Sequence, residues 1–173
     1  MWNPRPRLLG LSLVGLALLV TGTASAQICG SITTVPLVAG QQFSAGHVQI
    51  SNDETFLYVI YSTAGTDALI TETHLAIGSS LGDIPLNPKG CPKNGQFDQS
   101  STHRPGVTQV VDVLRLADYG LVPGQPLVVA AHAVVTSPTF GGQTAWGAGS
   151  SFECSNWATY TRTFVKSCGP EFE

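Results

Sequence analysis

Apolar and polar residues alternate along most of the chain after residue 26, and the alternation has a period of two. Segments rich in Val, Ile, Thr and aromatic residues recur at residues 32–38, 47–51, 55–62, 69–77, 107–116, 127–136, 144–146 and 157–165. Side chains of a strand point to opposite faces in turn, so this pattern predicts strands with one buried face. Turn formers separate the segments: Ala39-Gly40, Asn52-Asp53-Glu54, Ala64-Gly65-Thr66-Asp67 and Pro123-Gly124-Gln125 all suit tight reversals. No stretch keeps an apolar 3.6-residue period, and one helical turn is expected at residues 117–121. Residues 56–61 and 127–135 are apolar on both faces, as central or covered strands are. In residues 69–77 one face carries Leu69, Thr71, Thr73, Leu75 and Ile77, the other Ile70, Glu72, His74 and Ala76. Residues 79–105 show little alternation and several prolines, and read as one long surface loop. The expected fold is all-β: a mostly antiparallel two-sheet β-sandwich of immunoglobulin-like or jelly-roll type, with one long loop.

The first 26 residues follow another logic. Arg5 and Arg7 precede an apolar run at residues 8–20, and Ala24-Ser25-Ala26 forms an A-x-A-like cleavage site. That layout is expected of a secretory signal peptide over residues 1–26, with a single secreted domain over 27–173. The run is shorter than the roughly 20 residues a membrane span needs, and Cys29 lacks a convincing lipobox, so no membrane anchor is expected after cleavage. Without Arg5 and Arg7, six basic residues face eleven acidic ones, a formal balance of −5. Such a surface argues against nucleic acid as a partner, because phosphate binding needs clustered Lys and Arg. None of Asn52, Asn87, Asn94 and Asn156 starts an N-x-S/T sequon.

All four cysteines follow the leader, in a setting that permits disulfides. An extended strand between Cys154 and Cys168 holds them about 35 Å or more apart, too far for a bond that needs Cα atoms within about 7 Å. Two pairings remain: Cys29–Cys168 with Cys91–Cys154, or Cys29–Cys154 with Cys91–Cys168. The first is preferred, because it ties the two ends together and fastens the long loop to the last turn. The wide spacing and the lack of a C-x-x-C argue against zinc.

Three constellations could carry chemistry. Gly78-Ser79-Ser80-Leu81-Gly82 matches G-x-S-x-G, but Pro85 and Pro88 follow where a nucleophile elbow needs a helix; it reads as a Gly/Ser turn. His74, His103 and His132, with Glu72, would suffice for one divalent metal ion or for a small hydrolase. The plainer alternative is structural: Glu72 and His74 share a strand face and can pair, and His132, set among Ala130, Ala131, Ala133 and Val134, needs a hydrogen-bond partner if buried. Trp146, Trp157 and Tyr160 could pack in a core or stack on a sugar ring. Trp146, between Ala145 and Gly147, is the best single candidate for a ligand contact. The scattered acids Asp53, Glu54, Asp67, Asp83, Asp98, Asp112 and Asp118 form no calcium loop and read as solvated turn residues.

Thr71-Glu72-Thr73-His74-Leu75, Ile84-Pro85, Lys89-Gly90, Gly95-Gln96-Phe97, residues 130–135 (AAHAVV), residues 144–149 (TAWGAG) and residues 156–160 (NWATY) occur in this order. Together they resemble an uncharacterised β-rich module of secreted and surface proteins, mainly bacterial, over most of residues 38–165. The resemblance implies an extracellular setting and no particular reaction. It also implies that Cys91 and Cys154 are this chain's own additions, which fits a matched pair. The expectation is a secreted, non-enzymatic protein, extracellular or periplasmic. It would act in binding, adhesion or surface structure without a cofactor, on a glycan or another surface protein. Weak ligand-binding candidates are Trp146, His132, His74 and Glu72. The alternative is a small secreted metal-binding protein or hydrolase built on His74, His103 and His132.

Overall fold

The structure is a computed structural model and describes residues 27–169. The expected signal peptide lies outside the described residues. Ten strands are described: β1 (Cys29–Ala39), β2 (Phe43–Asn52), β3 (Phe56–Ser62), β4 (Leu69–Gly78), β5 (Gln99–Val107), β6 (Gln109–Arg115), β7 (Pro126–Ser137), β8 (Gly141–Gly147), β9 (Ser150–Ser151) and β10 (Thr159–Phe164). The expected helical turn is a 3-10 turn at Leu116–Tyr119. The all-β, antiparallel class read from the alternation is therefore the class of the molecule.

The strands join in one sheet in the order β5-β4-β7-β8-β1-β2-β3-β6. Twisted sheets of this many strands tend to curl, and this one nearly closes into a barrel. Its two end strands, β5 and β6, are separated in sequence by Thr108 alone, whose carbonyl accepts from the Thr63 N–H at 2.9 Å. Across the interior, the Tyr61 hydroxyl on β3 donates to the His74 carbonyl on β4 at 3.0 Å. The far half of β7 pairs with β8 and its near half with β10, so the two follow one another along the same side of that strand.

Leu37, Val48, Leu57, Val59, Ile70, Leu75, Leu127 and Val135 fill the inside, all at most 1 % exposed. Each such side chain contributes about 1.5–3 kcal/mol by leaving water. Period two explains their choice on β7: Leu127, Val129, Ala131, Ala133 and Val135 point inward. On β4 the period is broken. A register shift between Ile70 and Glu72 moves Ile70 onto the inner face with Leu75, away from the Glu72 face that strict alternation assigns to it.

The outer face of β4, β7 and β8 is covered as well. Ala76, Val128, Ala130 and Trp146 meet Ile84, Phe97, Phe152, Ala158 and Tyr160 in a second core. Its lid comes from two excursions, residues 79–98 and 150–160. The first is shorter than the loop expected over residues 79–105, because β5 begins at Gln99. Among the described residues β5 pairs only with β4, and it is mostly exposed, so it carries no apolar alternation; Pro105 is tolerated on such an edge. Gly46 lies at a register shift between β1 and β2 with φ +143°, and a Cβ there would sit 2.0 Å from the Ser62 carbonyl oxygen. Only glycine lets the chain pass that close.

Candidate functional site

Strand register builds the most distinctive row of side chains. His74 on β4 lies opposite His132 on β7, and His132 lies opposite Trp146 on β8. All three point to the outer face. The two imidazole rings are 5.4 Å apart, and the His132 ring is 4.7 Å from the indole. Glu72, two residues before His74 on the same face, ends the row: its Oε1 meets His74 Nε2 at 2.6 Å. The Glu72 side chain is 41 % exposed and that of His74 11 %. A charged rim thus grades into a dry interior over three strands.

His132 is 4 % exposed. Burial, and secondarily the neighbouring His74, lower its pKa to about 4, because a charged imidazole loses its hydration there. At neutral pH it is an uncharged ring packed against Trp146. Nδ1 of both His74 and His132 is buried without a hydrogen-bond partner in the described structure. Trp146, also 4 % exposed, packs edge-on to Phe97 and Phe152 at 6.4 and 6.2 Å. The residue expected to meet a ligand through small neighbours is instead the centre of the second core. Ala145 and Gly147 point to the other side of the sheet, where Gly147 faces Ala131 and Val48.

The three-histidine metal site is not formed. His103 on β5 belongs to the opposite face, its Nε2 3.3 Å from Thr73 Oγ1. It also draws on Asp112 of β6 across the seam, where burial holds that carboxyl above its usual range against the pull of His103. One strand separates two faces, so His103 cannot join His74 and His132. Among the described residues no three His, Cys, Asp or Glu side chains converge on a metal-sized space.

Cys29 and Cys168 are bonded, with Cα atoms 4.3 Å apart. Cys91 and Cys154 are free thiols here, so the second expected bond is not formed. The structure does bring them side by side: burial, then a hydrogen bond with the Cys91 thiol, raise the Cys154 pKa. A Cβ on Gly90 would lie 2.7 Å from the Glu153 carbonyl, which shows how tightly the two loops meet.

The G-x-S-x-G segment is a turn, as Pro85 requires. Ser80 precedes the 3-10 turn Leu81–Asp83, and its hydroxyl is 3.1 Å from Asp83 Oδ2. Two acids read as merely solvated have fixed duties. Asp53 accepts from the N–H groups of Thr55 and Phe56 and from the Tyr58 hydroxyl at 2.6–2.7 Å, pinning the β2–β3 turn. Asp67 accepts from the hydroxyls of Ser137 and Thr139, joining the β3–β4 and β7–β8 turns.

Two surface openings lie among the described residues. A cleft of about 240 Å3 is lined by Val38, Gln41, Ala148, Gly149, Trp157 and Thr159. Trp157 is half-buried and shares this lining with small residues and with Gln41 and Thr159. Trp157 precedes β10 and is not part of it, so its direction does not follow from strand parity. The second opening, of about 550 Å3, lies where β4, β7 and β10 begin or end and includes Arg162 and Phe164. Both residues read as ordinary strand residues in the sequence. Their two-residue spacing, which puts a cation and an exposed ring on one face, is the signal that could have marked them. No family model, curated protein or solved structure matches this chain.

Proposed function

We propose that the chain is a secreted, non-enzymatic binding module of the extracellular or periplasmic space whose ligand is a glycan. The observation that carries this reading is Trp157. A half-buried indole borders a cleft of about 240 Å3, somewhat below the usual range for drug-sized ligands and suited to a single ring. The Gln41 amide offers a donor and an acceptor to sugar hydroxyls, the Thr159 hydroxyl, which donates to the Gly147 carbonyl at 2.8 Å, offers an acceptor, and the indole offers the apolar flank. The resemblance to a β-rich module of secreted and surface proteins supports the setting, as does the Cys29–Cys168 disulfide. Two of the three histidines have other partners: His132 packs against Trp146, and His103 meets the Thr73 hydroxyl.

The contact between Tyr61 of β3 and His74 of β4 across the interior of the nearly closed sheet supports reading its two halves as the layers of a sandwich. In an oxidising compartment the thiols of Cys91 and Cys154 close into the second disulfide, giving up two protons and two electrons to the oxidant there. The test is a titration of the exported protein with soluble β-glucan, xylan, mannan and chitooligosaccharides, followed by Trp fluorescence and calorimetry. At least one saturable interaction is expected, lost in Trp157→Ala and kept in Trp146→Phe. A flat response to the whole panel, or a Trp157→Ala variant that binds like the parent, contradicts the reading.

A further inference from the structure

The larger opening is independent of the Trp157 cleft and has a different chemistry. Cross-strand pairing puts Gly78, Val128 and Arg162 in one row over β4, β7 and β10, with Phe164 opposite Pro126 beside it. The Ser79–Asp83 turn forms the facing wall through Ser80 and Leu81. The cavity of about 550 Å3 falls within the roughly 300–1,000 Å3 of small-molecule sites. Most of its surface is apolar: Val128 is part of the wall at 4 % exposure, and Phe164 stands at the rim 57 % exposed. A large aromatic side chain left in water beside an apolar hollow is a surface with something to gain from being covered.

The one cation of this lining is Arg162, and it is held in place. Its Nη2 donates to the Tyr160 hydroxyl at 2.9 Å, and the guanidinium carbon lies 5.2 Å from the centre of the Tyr160 ring. A guanidinium has five N–H donors, so this contact leaves most of them for another acceptor. No described carboxylate makes a salt bridge with Arg162. Asp83, the acid of the facing turn, has its Oδ2 taken by the Ser80 N–H at 2.8 Å and by the Ser79 and Ser80 hydroxyls at 3.1 Å.

We infer that this cavity binds a small amphipathic anion: a soluble molecule with an apolar chain or ring and a single carboxylate or sulfonate. The head group takes the free edge of Arg162, where a planar guanidinium can meet two oxygens at once. The apolar body covers Leu81, Val128 and Phe164.

The probe is 8-anilinonaphthalene-1-sulfonate, added to the exported protein and followed by its fluorescence, with decanoate and decan-1-ol as competitors. We expect saturable one-to-one binding that decanoate displaces at least tenfold better than decan-1-ol. Arg162→Gln should weaken probe and decanoate at least tenfold with an unchanged circular dichroism spectrum, and Trp157→Ala should leave both as they are. Phe164→Ser, at an exposed position, should weaken them through the apolar body and provides a second reading if Arg162→Gln does not fold. Equal binding to the parent and Arg162→Gln, equal displacement by acid and alcohol, or the absence of saturable binding would overturn the assignment. Failure of the glycan titration leaves it untouched, because the two openings share no residue.

Discussion

The burial of His132 sets a measurable pH dependence of stability. The unfolded chain takes up a proton near pH 6.5, the folded chain only near pH 4. A group with a depressed folded pKa favours folding above its unfolded value, and that contribution drains away as the pH falls from about 6.5 toward 4. The gap caps the effect at about 3 kcal/mol, of which about 2 kcal/mol is lost between pH 7.5 and pH 5. His132→Leu removes the titration while keeping a side chain of similar bulk beside Trp146. His132 Nδ1 has no partner in the described structure, so no hydrogen bond is lost at that atom, and the variant should lie within about 1 kcal/mol of the parent at pH 7.5. The assay is urea unfolding of both proteins at pH 7.5 and pH 5. The parent should lose about 2 kcal/mol more than His132→Leu, a midpoint change on the order of 1 M urea. Taking the difference between variants cancels other titrating groups, including Asp112, whose raised pKa acts in the opposite direction. Equal losses in the two proteins would refute the claim that His132 is sealed in a dry core.

Other substitutions test the neighbouring elements. Trp146→Ala should cost about 3–5 kcal/mol in urea unfolding, since it empties the space between His132, Phe97 and Phe152; a loss below 1 kcal/mol would mean that the outer face is not a packed core. Replacing Cys29 and Cys168 together by Ser opens a link across 139 residues and should cost about 2–5 kcal/mol, read as a fall in Tm of the variant below the parent with both unreduced. Alkylation of the exported, unreduced protein should label none of the four cysteines; modification at Cys91 and Cys154 would show that their contact stays open.

The strand pattern was legible wherever one face is buried and the other wet. It failed at β5, where Gln99-Ser100-Ser101-Thr102 is polar on both faces because the strand is an edge. It also failed at Ile70, where a register shift interrupts the period. The apolar character of both faces of β7 did announce a cover, and the outer core supplies it. The Glu72–His74 pair was readable because two residues on one strand share a face. The meeting of His132 with Trp146 depends on which residues of two strands lie opposite one another, and a single sequence does not carry that register. Ala145 and Gly147 misled for a related reason. Neighbours in sequence belong to the opposite face, whereas the groups packed on Trp146 come from distant loops.

Trp146 is sealed, and Trp157 is half-buried at the edge of a cleft. Past residue 26 the chain has two tryptophans, Trp146 and Trp157, so Trp146→Phe and Trp157→Phe each leave one reporter. Acrylamide quenching of the two exported variants compares them directly. The protein retaining Trp146 should emit at the blue end and resist quenching, and the one retaining Trp157 should be quenched readily. Ready quenching of Trp146 would contradict the outer core, and protection of Trp157 would contradict the proposed cleft.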